Sequence, residues 1–198
     1  SSNDLDPDKV EIEVIKTSGD KFLNTSLSKI GGKGLFTKEI QQALIDKRID
    51  IAVHSMKDVE TELPEKLVIS TILEREDVRD SFISRKYSSI AELPMGSVVG
   101  TSSLRRKAQL LNKRNDLEVV EFRGNVQKRL EKLDNNVAVA TFLATAGLNR
   151  LGLEKLINPI STDEMLPAVA QGAVGIEHVR SEKIEEMLAP LNDSISKK

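Results

Sequence analysis

Residues 97–111 read SVVGTSSLRRKAQLL. A short apolar strand, Ser97 to Gly100, runs into the hydroxyl turn Thr101-Ser102-Ser103. A helix follows in which Leu104, Ala108 and Leu111 share one face. The same order recurs downstream. Glu118 to Phe122 is a strand, Arg123-Gly124-Asn125 a turn, and Val126, Leu130 and Leu133 carry helical spacing. Val137 to Ala144 is apolar enough for a central strand, Ala146 to Leu151 begins a helix, Ala173 to Ile176 is a strand, and Ser181 to Leu188 a helix. Upstream, Asp50 to Val53 is a short strand ended by His54-Ser55-Met56-Lys57-Asp58. Leu67 to Leu73 is nearly continuous apolar sequence, as expected of a strand covered on both faces. Phe36, Ile40 and Leu44 mark a helix, Val10 to Ile15 alternates like a half-buried strand, and Thr17 to Ile30 reads as a long loop. Strands alternating with helices define α/β architecture. The charge run Glu74 to Asp80 is the expected crossover between two lobes.

Composition narrows the function. The 198 residues include no cysteine, which removes disulfides, thiolate nucleophiles and cysteine-ligated metals from this polypeptide. Two histidines are too few for a histidine-rich metal site, so no metal is expected. Aromatics at 3% leave little for base stacking, and 29 basic against 31 acidic residues argue against a general polyanion binder, so no nucleic-acid partner is expected. No apolar run approaches the roughly 18 residues of a membrane span. A reducing cytoplasmic setting is the default.

Three turns share one physical logic, in which a strand ends, small or hydroxyl residues follow, and a helix starts beside Lys or Arg. Free N–H groups and partial positive charge at a helix start favour anions. In Thr101-Ser102-Ser103-Leu104-Arg105-Arg106 the hydroxyls can cap the helix or bind an anion, and two guanidiniums suit carboxylates. The residues alone leave open an ordinary N-cap with solvent-exposed arginines. The turn at Arg123, with Arg129 six residues on, repeats the pattern, although a plain surface helix explains it about as well in isolation. Lys29 to Gly34 (KIGGKG) lacks the phosphate-loop spacing and fits a loop over a site or a simple turn. Asp58 is the best placed carboxylate for proton transfer and for stabilising a developing cation, and a helix-capping role is the alternative. His54 fits a packed, hydrogen-bonded histidine, and His178 falls in a charged surface stretch. Together these features predict a cleft for a small ligand bearing several carboxylates.

Seven strings extend the reading: GGKGLFTKEI, DIAVHSMKDV, EREDVRDSFIS, VVGTSSLRRKAQL, FRGNVQKRLEKLD, TAGLNRLGL and LPAVAQGAVGIE. In this order, from about Val10 to Glu177, the sequence resembles the porphobilinogen deaminase (hydroxymethylbilane synthase) family. The resemblance implies a transferase of haem and porphyrin biosynthesis. Such an enzyme joins four porphobilinogen units into the linear tetrapyrrole hydroxymethylbilane and releases ammonia at each step. It implies two α/β lobes like those of type II periplasmic binding proteins, with the chain crossing and returning: 10–73 plus 172–191 as lobe one, and 78–167 as lobe two. Asp58 matches the family's catalytic carboxylate. Lys57, Thr101, Ser102, Ser103, Arg105, Arg106 and Arg150 match positions that hold the dipyrromethane cofactor. Arg123 and Arg129 match substrate ligands, and Lys33 and Phe36 fall in a flap over the cleft. The implied partner is porphobilinogen, bound by a cytoplasmic monomer with no nucleic acid and no membrane. The family pattern also has an opening strand before the position of Val10 and a third domain whose cysteine carries the cofactor; neither is among the 198 residues. Two internal departures stand out: Ala170 replaces the usual Gly, and Val139 replaces an acidic residue. The competing reading from a different class is a non-catalytic two-lobed binding module for a small carboxylate.

Overall fold

The computed structural model describes residues 7–21, 34 and 36–196, and these divide into two compact units. The first unit draws on the chain up to Glu76 and resumes at Ala173, while the second comprises the described residues from Asp77 to Gly172.

In the first unit, helix α1 (Lys38–Ile45) precedes strand β1 (Ala52–Ser55), a 3-10 turn (Met56–Asp58) and β2 (Leu67–Ile72). The returning chain adds β7 (Val174–Val179) and α5 (Glu182–Leu188). The sheet order is β1-β7-β2, with β7 antiparallel to both neighbours. Leu44, Ala52 and Leu67 form its apolar core, with Ile40, Ile45, Ile49 and Val179 packed against them. Ile40 and Leu44 therefore share the predicted helix face, while Phe36 stands in the turn ahead of α1.

The second unit holds β3 (Asp80–Ser84), β4 (Val98–Gly100), α2 (Leu104–Lys113), β5 (Glu118–Val120), α3 (Val126–Asp134), β6 (Ala140–Ala144) and α4 (Thr145–Arg150). Its sheet order is β3-β6-β4-β5, with β4, β5 and β6 parallel and β3 antiparallel to β6. One core layer centres on Phe82, Val99, Leu110 and Phe142, and another on Phe122, Leu133, Leu143 and Leu148.

Four expectations need correction. Residues 10–15 join no strand: Val10, Ile12 and Val14 are 61%, 85% and 85% exposed. Alternation specifies a strand only where a neighbour and a face to bury against exist, and among the described residues this segment has neither. Ser18–Lys21, placed within a long loop, is a helical turn. Strand β2 is an edge strand with only Leu67 and Thr71 buried, because an antiparallel partner lies on one side alone. His178 is fully buried rather than superficial. Strand β7 continues three residues past Ile176 as the middle strand, and Ser70 Oγ at 2.8 Å and the Val179 carbonyl at 2.8 Å satisfy the His178 ring nitrogens.

Candidate active site

The topology of the second unit explains where its charged groups meet. The parallel strands β4, β5 and β6 end at one edge of the sheet, and β3, running the other way, begins there, with Asp80 opposite Ala144. Ligands of open α/β sheets bind beyond such carboxyl ends.

The turn after β4 is fixed by its own hydroxyls. Thr101 Oγ1 accepts from Ser103 N at 3.2 Å, Ser102 Oγ accepts from Phe122 N at 2.9 Å, and Ser103 Oγ caps α2 by accepting from Arg106 N at 3.4 Å. Gly100 is required because a Cβ there would stand 2.4 Å from the Phe122 ring. Asn125 caps α3 in the same way, accepting from Lys128 N at 2.9 Å.

Arg105 and Arg106 converge on a single carboxylate. Asp80 Oδ2 accepts from Arg105 Nη2 at 2.8 Å, and Asp80 Oδ1 accepts from Arg106 Nη2 at 2.7 Å. Gln171 Nε2 adds a third donor to Oδ1 at 2.9 Å and also donates to Val78 O at 2.8 Å. Arg106 Nη1 donates to Phe142 O at 2.9 Å, and Arg105 Nη1 donates to Leu166 O. Burial would raise the Asp80 carboxyl, but the Arg106 charge and the hydrogen bonds from Arg106, Gln171 and Arg105 outweigh it and hold the group below the usual carboxylate range.

This arrangement overturns the predicted face of α2. Leu104 is 70% exposed and Ala108 is also exposed, whereas Arg106 and Leu110 point inward. The Asp80 pairing, invisible in the local pattern, makes an arginine the buried residue.

Arg129 donates from Nε to Gly124 O at 2.9 Å. Burial, together with the neighbouring charges of Arg106 and Arg123, pulls its pKa down to about 10. Arg106, Arg123 and Arg129 thus form one electropositive group, and Arg106 Nε is buried with no hydrogen-bond partner among the described residues. An orphaned donor costs about 1–3 kcal/mol, and a bound carboxylate oxygen would satisfy it. Arg150, exposed at the end of α4, donates to Gly172 O at 2.9 Å, next to Gln171.

In the first unit, Lys57 and Asp58 lie in the 3-10 turn that ends β1. Asp58 keeps open surface, yet the protein atoms around it displace enough water to push its carboxyl upward; Lys57 and His54 pull the other way without cancelling the shift. Beneath the turn, Met56 Sδ fills the space over Gly175, where a Cβ would lie 2.3 Å from the sulfur. His54 is buried and its Nε2 lies 2.9 Å from Glu177 Oε2, while Glu177 Oε1 accepts from Gln41 Nε2 at 3.0 Å. The Phe36 ring covers Gly19, and Lys33 lies outside the described residues.

Sequence reading missed Asp80, Gln171 and Glu177. Glu177 had a signal, a lone acid inside the apolar run Val174 to Val179. Asp80 was hidden in a charge run, and nothing in its spacing points to α2.

These features define an α/β protein of the lobed type seen in periplasmic binding proteins, with a cluster of arginines at strand ends. A periplasmic substrate-binding protein of an ABC transporter from Coxiella burnetii shares the fold at 14% identity, with a TM-score of 0.52 over 82% of this chain and 78% of that one. Sequence comparison is more specific. A family model described as porphobilinogen deaminase, dipyromethane cofactor binding domain, matches residues 2–186, and the chain belongs to the porphobilinogen deaminase family. It is 55% identical to the porphobilinogen deaminase of Paracoccus denitrificans over 195 residues, covering 98% of this chain and 62% of the relative. It is 57% identical to the chloroplastic porphobilinogen deaminase of Pisum sativum over 186 residues, covering 92% and 50%. The chain therefore spans about half to three-fifths of the length of these relatives.

Proposed function

We propose that the chain is the cofactor- and substrate-binding part of a hydroxymethylbilane synthase. In this reading it joins four porphobilinogen units head to tail and releases ammonia at each addition. The observation that carries it is the electropositive group of the second unit: Arg106 with an orphaned Nε, beside Arg129, whose charge is disfavoured by burial and by Arg106 and Arg123. The Asp80 carboxylate that Arg106 bonds leaves the three guanidiniums net positive, and each pyrrole ring of the substrate carries an acetate and a propionate.

The residues present fit the dipyrromethane group. Arg105, Arg106 and Arg150 would hold its carboxylates, with Lys57, Thr101, Ser102 and Ser103 at the remaining family positions, and Arg123 and Arg129 would hold those of incoming and growing pyrroles. When bound, the group supplies the pyrrole carbon on which the chain is extended. The guanidiniums orient ring carboxylates by charge-assisted hydrogen bonds and fix which carbon faces the next unit. Asp58 works on the leaving group and the proton. Its carboxylate stabilises the azafulvenium cation formed as porphobilinogen loses ammonia, and it accepts the proton released from the pyrrole carbon after the new carbon–carbon bond has formed. A carboxyl pushed upward by burial is the better base for that step.

The same reading places lobe one at 10–73 with 172–191 and lobe two at 78–167, and assigns Lys33 and Phe36 to a flap. It describes a cytoplasmic monomer whose cofactor is anchored on a third domain; the lack of cysteine among the 198 residues supports an anchor elsewhere. Among the described residues no helix is long and apolar enough to cross a membrane.

The experiment is to incubate the full-length protein with porphobilinogen and measure tetrapyrrole and ammonia together. The expected result is one ammonia for each porphobilinogen consumed, with hydroxymethylbilane as the product. Binding of porphobilinogen without ammonia release would return the reading to a carboxylate-binding module.

A further inference from the structure

Arg105 and Arg106 are consecutive in α2, and consecutive helical side chains leave the axis about 100° apart without facing each other. Their guanidiniums nevertheless meet, because each bonds one oxygen of Asp80, at 2.8 and 2.7 Å. We propose that Asp80 is a positioning residue for the cofactor-binding arginines, with Gln171 as its brace. The inference rests on the reading that Arg105 and Arg106 hold the carboxylates of the dipyrromethane.

Three observations support it. First, Asp80 is itself fixed. It is fully buried at the first position of β3, in register with Ala144, and Gln171 ties its Oδ1 to the backbone of Val78. An anchor that cannot move transmits its position to both arginines. Second, the charges are uneven. One carboxylate against two guanidiniums leaves a net positive charge, and Arg106 Nε still lacks a partner, so the cluster is ordered without being neutralised. Third, two cations in the first turn of α2 oppose the helix dipole. Ser103 caps that end, and the Asp80 carboxylate offsets the unfavourable charge. The counter-charge lowers the cost of holding an arginine pair at this place on α2.

The test uses the full-length protein with Asp80→Asn, which keeps the volume and removes the charge. Intact mass gives the fraction of molecules carrying the dipyrromethane, thermal melting reports folding, and steady-state kinetics give kcat per cofactor-bearing molecule and KM for porphobilinogen. The expected result is a severalfold lower cofactor-bearing fraction, with kcat per cofactor-bearing molecule reduced roughly tenfold or more, as for a lost charge-assisted contact, and KM within about twofold. Complete loss of cofactor from protein that still melts cooperatively also supports the proposal. A lower melting temperature with unchanged cofactor fraction and unchanged kcat per loaded molecule would show a merely structural role and overturn it. If Asp80→Asn does not fold, Gln171→Leu removes the brace and keeps every charge. It should lower kcat per loaded molecule roughly threefold or more, and an unchanged value overturns the proposal. Wild-type protein with neither cofactor nor turnover would sink the functional reading and this inference together; a loaded, active wild type with indifferent variants sinks the inference alone.

Discussion

His54 Nε2 lies 2.9 Å from Glu177 Oε2, with both side chains withdrawn from solvent. The pair links β1 to β7, and Gln41 of α1 completes it from the helix side. His54→Leu leaves Glu177 Oε2 buried without its partner, at a cost of about 1–3 kcal/mol. The triple variant His54→Leu/Glu177→Leu/Gln41→Leu, in which Gln41 Nε2 is not left orphaned, removes every polar group of the cluster and should recover much of that loss. Urea unfolding of the two variants measures the difference; a triple variant no more stable than the single would show that the cluster contributes through packing instead.

Asp58→Asn should abolish ammonia release while leaving the protein folded. Because burial raises the Asp58 carboxyl in the folded state, ionising it opposes folding. Its favourable contribution is complete below the unfolded carboxylate range and is lost as pH rises through the folded value. The asparagine variant should therefore melt higher than wild type near pH 7, with the advantage shrinking toward pH 3. A variant that melts lower at pH 7 would make Asp58 a structural cap.

Burial, with the charges of Arg106 and Arg123 beside it, disfavours the Arg129 charge and lowers its pKa to about 10. Below that value the folded state bears the unfavourable charge, so Arg129→Gln should hold or raise the melting temperature at pH 7 despite losing the bond to Gly124 O. The KM for porphobilinogen should rise roughly tenfold or more with the charge-assisted contact gone. An unchanged KM would take Arg129 out of substrate binding.

Ala170 occupies the left-handed region at φ 56°, in a turn closed by Gln171 N donating to Ala168 O at 3.0 Å. Glycine suits that third turn position. Left-handed geometry costs an L-residue about 1–2 kcal/mol, and the added freedom of glycine in the unfolded chain returns about 0.4–1 kcal/mol. Ala170→Gly should thus stabilise by roughly 0.5–1 kcal/mol, read as a shift in the urea midpoint at unchanged slope. A loss of stability would mean that the methyl group packs usefully enough to outweigh the strain.

Element order and type were legible because local chemistry set them. Ser103 and Asn125 cap the helices that the hydroxyl turn and the Gly124-Asn125 turn placed there, and the apolar stretch before Ala144 forms an interior strand. Burial was legible only where apolar residues decided it. Leu104, Ala108 and Leu111 have the spacing of a core face, but Arg106 and Leu110 have equally good helical spacing, and the choice between them lies with Asp80, 26 residues away from Arg106. Likewise His178 reads as part of a charged surface stretch until β7 is known to be the middle strand. Long-range pairing of polar groups leaves no periodic trace, which is why the sequence singles out Arg105 and Arg106 but not Asp80, which bonds both.

The place of β7 between β1 and β2 bears on biosynthesis. As the nascent polypeptide leaves the ribosome, β1 and β2 emerge more than a hundred residues ahead of the strand that must lie between them, whereas the intervening 77–172 stretch has its whole sheet in hand. The second unit can therefore fold while translation is still under way. The first must wait with two unpaired edges, and it is the part of the molecule most in need of a chaperone.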